Sequence, residues 1–129
     1  MIRIQGMTLT AALAALGLAL AGGTASAEGD PAAGKKIYET NCLSCHGPSG
    51  KGDGPVGGAL NPKPRDFSEG SFKFDADEDG EAGTDQDLAL VIKNGAGAYG
   101  GAPLMAPWPT LSDEDIQNVV AYIRTLETE

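Results

Sequence analysis

Histidine, cysteine and bulky apolar residues are all scarce in this chain of 129 residues, and each scarcity removes a class of protein. With one histidine and two cysteines, the chain can build neither a disulfide-rich scaffold nor a zinc site with a full set of His and Cys ligands. Bases are few as well. There are 9 against 18 acids, a formal net charge of -9, which argues against a protein that neutralises the phosphates of DNA or RNA. No apolar run reaches the ~20 residues needed to span a bilayer. At this length one modest domain is expected, not a multidomain enzyme.

What is present begins with a targeting signal. Arg3 precedes an apolar stretch of 12 residues, Ala11 to Gly22, and Ala25-Ser26-Ala27 then offers the small residues a signal peptidase prefers. Residues 1–27 are therefore expected to be removed and residues 28–129 to form an exported, soluble, periplasmic domain. The alternative, an uncleaved membrane anchor, is disfavoured by the shortness of the run. No cysteine follows the run, which disfavours a lipid-anchored lipoprotein.

Removing residues 1–27 takes away Arg3 and no acid, leaving 18 acids and 8 bases, a net charge of -10. Leu, Ile, Val and Phe together are then 18 of 102 residues, a composition at which chains with this much charge tend not to fold unaided. Either the domain is disordered or a large apolar cofactor supplies the missing hydrophobic mass.

Cys42-Leu43-Ser44-Cys45-His46 points to the second choice. C-x-x-C-H is the attachment pattern of c-type haem: two thiols one helical turn apart bond the porphyrin edge, and the adjacent histidine reaches the iron from the same turn. Three other readings of the motif compete. A thioredoxin-like pair normally follows a strand, and no strand-like run precedes Cys42. A zinc site lacks further ligands. A Cys42–Cys45 disulfide would leave the thin core unexplained.

With these residues the chain resembles class I monohaem bacterial c-type cytochromes over residues 30 to 126. The resemblance implies an all-α, small cytochrome c-like fold in which the N- and C-terminal helices cross around one covalently attached haem among Gly/Pro-rich loops. Asp30 and Pro31 open a first helix as N-cap and first-position proline. Gly34 and Tyr38 resemble the family's glycine–aromatic pair at the helix crossing, although ordinary amphipathic spacing would also place them there. Thr84 with Asp87, and Ser112 with Asp115, read as starts of two further helices. The last carries Ile116, Val119, Val120, Ile123 and Leu126 at helical spacing, and the resemblance brings its apolar side, including Tyr122, against Gly34 and Tyr38.

The resemblance also implies site residues. Cys42 and Cys45 would hold the haem, and His46 and Met105 would be the axial iron ligands. Met105 is the one methionine after residue 27, and the competing role for it is core filler. The family more often places proline directly after this ligand, whereas here Ala106 intervenes. The glycine- and proline-rich stretch from Gly47 to Phe67 resembles the family's wrapping loop. There Pro55 is the candidate carbonyl for the second nitrogen of His46, and Arg65 is either a propionate cap or a solvated loop arginine. Trp108 either packs beside the ring or fills core.

One segment departs from the family. Residues 75–87 hold seven acids, and Asp75, Asp77 and Asp79 reproduce the first half of a calcium-binding loop, D-x-D-x-D-G. Position twelve carries Gln86 where a bidentate glutamate belongs, so a solvated acidic insertion is the favoured reading over calcium binding.

Iron held by an imidazole and a thioether has no open position, and the thioether favours the ferrous state. The expected function is a one-electron carrier and not an enzyme, since with His46 used as a ligand no histidine remains for acid–base catalysis. The alternatives are a haem subunit or electron-entry module of a periplasmic oxidoreductase complex, and a gas sensor or peroxidase-like enzyme with a vacant iron position. The expected partners are redox proteins, with basic docking surfaces if the negative charge steers encounter. The same acidity would equally suit a saline habitat.

Overall fold

The computed structural model describes residues 29–128; the export signal expected over residues 1–27 lies outside them. Among the described residues there are helices and turns and no strand, the all-α architecture expected. Helix α1 (Pro31–Asn41) starts where Asp30 accepts a hydrogen bond from the Ala32 amide at 2.8 Å, with Pro31 at its first position. After Cys42 the chain turns once more as α2 (Leu43–His46). Short 3-10 turns at Gly57–Ala59 and Phe67–Glu69 interrupt the loop that follows. α3 (Asp85–Asn94) stops at Gly95, and α4 (Asp113–Arg124) closes the domain.

Both later helices open with reciprocal caps. Thr84 accepts from the Asp87 amide at 3.2 Å while Asp87 accepts from the Thr84 amide at 2.8 Å. Ser112 and Asp115 repeat the arrangement at 3.0 and 3.2 Å. The acids Asp113, Glu114 and Asp115 also sit at the end of α4 where the helix dipole favours negative charge.

α1 crosses α4, and α3 packs on α4 beside them. The crossing is close because Gly34 has no side chain: a Cβ there would overlap the backbone carbonyl of Asn118. Asn118 also accepts from the Asp30 amide at 2.7 Å, tying the start of α1 to the middle of α4. Below the crossing, Tyr38 is fully buried, meets Tyr122 edge-on at 5.1 Å and donates its hydroxyl to the Gly47 carbonyl at 2.7 Å. Ile116, Val119, Val120 and Ile123 of α4 and Leu88 and Ile92 of α3 complete the core. No helix among the described residues is long and apolar enough to cross a membrane.

Asp87 does more than cap α3. It is 1 % exposed, and besides the Thr84 amide and hydroxyl its carboxylate accepts from the Ala76 amide at 2.6 Å, so it fastens the acidic segment onto the helix start. Burial pushes this carboxyl up, but the hydrogen bonds from Thr84, Ala76 and Asp77 outweigh burial and hold it below the usual carboxylate range. Asp87→Asn sets an amide against these donors and is expected to cost about 2–3 kcal/mol in denaturant unfolding. A lowered folded pKa stabilises fully above the unfolded value of about 3.9 and is lost as pH falls through the folded value. Stability of the Asn variant should therefore fall less steeply than that of the parent across that acidic window.

Candidate cofactor centre

The turn joining α1 to α2 assembles the attachment residues. Cys42 donates its amide to the Tyr38 carbonyl at 2.8 Å, and the amides of Cys45 and His46 both donate to the Cys42 carbonyl, at 3.2 and 2.9 Å. Residues at i, i+3 and i+4 share one helical face, so both thiols and the imidazole line the same cavity. The two cysteines are not joined to each other. Burial, and secondarily the neighbouring Cys45, raises the Cys42 thiol to about 11. An upward shift at Cys42 is opposite in direction to the lowered thiol that a thioredoxin-like pair uses as its nucleophile.

His46 is buried. Its Nδ1 lies 3.3 Å from the Arg65 carbonyl; a carbonyl can only accept, so Nδ1 carries the proton and Nε2 keeps its lone pair. Burial lowers the imidazole pKa, with the Arg65 carbonyl opposing, a shift toward the neutral ring that binds metal. This corrects the sequence expectation for Pro55, which is exposed. The loop curls back on itself instead of carrying Pro55 to the ring edge: the Gly52 amide donates to the His46 carbonyl at 2.9 Å and the Val56 amide to the Ser44 carbonyl at 2.9 Å.

The cavity measures about 460 Å³ and is walled by Leu88, Val91 and Ile92 of α3, Phe67 and Phe72 of the long loop, and Ile123 of α4. Met105 and Trp108 line it as well. Their loop is moored to α3 and the turn after it: the Ala96 amide donates to the Met105 carbonyl at 3.1 Å, and the Trp108 amide to the Ile92 carbonyl at 3.0 Å.

Arg65 lines the same cavity. Its guanidinium bonds the carbonyl and hydroxyl of Ser71 and pairs with Glu69 at 3.5 Å, yet its Nε is buried with no partner. A buried donor left unpaired is costly, and an anionic propionate at the cavity wall would satisfy it. Lys63 and Lys73, both exposed, also border the cavity. An apolar slot with paired thiols, an imidazole, a thioether and an orphaned guanidinium nitrogen fits a haem. The thin core noted from composition is thin where this group belongs.

In the acidic segment, the carboxylates that converge are Asp75, Asp77 and Asp87, with oxygens within 4.8 Å of one another. Asp79, expected in that set, instead accepts from the Glu81 amide at 2.8 Å. Asp75 is engaged by the amides of Asp79 and Gly80, at 3.0 and 2.9 Å. The turn-forming role of Asp75 and Asp79 is what D-x-D-x-D-G supplies here. Sequence reasoning gave no role to Asp87 beyond its cap, nor any to Phe67; the only trace of either was a capping pattern and a family-like segment.

The sequence model of the cytochrome c family matches residues 31–127. Cytochrome c-554(547) of Halothiobacillus neapolitanus is 36% identical over 100 residues, covering 77% of this chain and 99% of the relative. Cytochrome c6 of Picosynechococcus is 30% identical over 118 residues, covering 89% of each. Among solved structures, a chain of the reducing HAO-like protein complex of Kuenenia stuttgartiensis aligns with a TM-score of 0.64 and 32% identity; the match covers 78% of this chain and 44% of that one. The chain belongs to the cytochrome c family, and its cofactor is a covalently bound haem c.

Proposed function

We propose that the protein is a periplasmic one-electron carrier, with haem c bonded through Cys42 and Cys45 and its iron ligated by His46 and Met105. The observation that carries this reading is that the two thiols, the imidazole and the thioether all line one apolar cavity. The haem would supply reversible one-electron chemistry. The chain's part is to bind and orient. Arg65 fixes the imidazole tautomer through its carbonyl, Leu88, Val91 and Ile92 exclude water, and the unpartnered Arg65 Nε would donate to a propionate. The ferric protein should show the near-infrared band of iron–thioether bonding; a ferric spectrum without it would refute the Met105 assignment.

The cavity mouth supports exchange with a protein partner. Leu104, next to Met105, borders the cavity and is 62 % exposed, which suits a small, transient apolar contact. The domain's net negative charge favours basic partners at long range. We read the acidic segment as a loop closed by its own amides, not as a calcium site.

A haem subunit of a periplasmic oxidoreductase complex is the second reading. It is favoured by the match to a chain of an HAO-like complex and by 30% identity to the FixP subunit of a cbb3-type oxidase from Azorhizobium caulinodans, of which this chain covers 30%. Gel filtration of native extract separates the two: a diffusible carrier elutes at its own mass, and a subunit co-elutes with a complex.

A further inference from the structure

The His46 ring is held by two contacts of different kinds from one short segment. The Arg65 carbonyl takes the Nδ1 proton, which anchors one point of the ring edge but leaves the ring free to swing about that bond. Phe67, two residues on, removes the swing: its ring stacks on the imidazole with centroids 4.4 Å apart and planes 18° from parallel.

Phe67 is itself immobilised. It is 8 % exposed, and its amide donates to the Gly50 carbonyl at 2.7 Å. Gly50 admits the ring by lacking a side chain: a Cβ there would stand 3.1 Å from Phe67 Cδ2 and 2.9 Å from Leu126 Cδ1. Behind it, Phe72 tilts against Phe67 at 5.9 Å and is covered by the Arg124 guanidinium at 5.0 Å. Asp66 caps the turn by accepting from the Ser68 amide at 2.9 Å, and the Thr128 amide pins that turn at 2.9 Å through the Ser68 carbonyl.

We propose that Phe67 is a positioning residue that sets the plane of the axial imidazole. The proposal rests on His46 being an iron ligand. Partners of a ligating histidine orient it and tune the metal; the carbonyl sets the tautomer, and the stacked ring sets the rotation. In a ferric low-spin haem, the imidazole plane and the orientation of the other axial ligand together set which π-symmetry iron orbital holds the unpaired electron, so with Met105 unaltered a change in the imidazole plane changes the spread of the haem methyl proton resonances.

The test is proton NMR of the ferric holoprotein and three variants. Phe67→Leu keeps most of the apolar volume but removes the flat face, so the methyl resonances should draw together as the imidazole samples several orientations. Phe67→Tyr restores a flat ring and should keep the parent spread. Leu126→Ala, which loosens the same cluster from a residue that does not line the cavity, should also keep it. An unchanged spread in Phe67→Leu, or an equal contraction in Leu126→Ala, would overturn the proposal. A parent protein whose ferric spectrum lacks a bound imidazole would overturn it together with the ligand assignment, and is recognised before any variant is made.

Discussion

Replacing Met105 by alanine is expected to abolish the near-infrared iron–thioether band and to lower the preference for the ferrous state more than tenfold, about 59 mV or more for one electron. The thioether is the ligand that favours ferrous iron, and water or a weaker donor would take its place. The loop around it should survive. Its mooring runs through main-chain groups, from the Ala96 amide to the Met105 carbonyl and from the Trp108 amide to the Ile92 carbonyl, and none of these is altered by truncating a side chain. Ferrous Met105→Ala should then bind carbon monoxide rapidly where the parent does not. Rapid binding by the parent would instead favour a sensor or peroxidase-like role. Redox titration and carbon monoxide mixing on the two proteins read both effects.

Gly34 carries the second large effect, this time on stability. α1 and α4 approach until the Gly34 position faces the Asn118 carbonyl, with no room for even one added carbon. The obstruction is backbone on a helix that also supplies Ile116, Val119, Val120 and Ile123 to the core, so it cannot move aside without opening that core. Gly34→Ala normally gains helix propensity of about 1 kcal/mol. Here overpacking should outweigh it and leave a net loss of about 2–3 kcal/mol. For a domain of this size that corresponds to a fall in Tm of roughly 10–20 °C. Thermal unfolding of the holoprotein measures it; unchanged melting would mean the helices do not cross at this glycine.

The features legible in the sequence were those specified by neighbours in the chain. Asp30-Pro31, Thr84 with Asp87 and Ser112 with Asp115 announce helix starts because a cap needs only groups within three residues. The Cys42, Cys45 and His46 set is legible for the same reason, being one turn of backbone. The missing apolar mass was also readable, because composition alone shows that such a chain cannot fill its interior. What stayed hidden depends on the route of a long glycine-rich loop. Composition does not say where the loop bends, so it did not reveal that Arg65 and not Pro55 offers the carbonyl to His46, or that the phenylalanine two residues later lies flat on the imidazole. Asp87 was half legible: its cap is local, but its bond to the Ala76 amide spans eleven residues.

Mass determination of the denatured, matured protein tests the covalent haem most directly. The expected mass is that of the polypeptide plus one haem, and the added mass should be lost when Cys42 and Cys45 are both replaced by alanine. A colourless product at the bare polypeptide mass, from cells able to attach haem, would contradict the account.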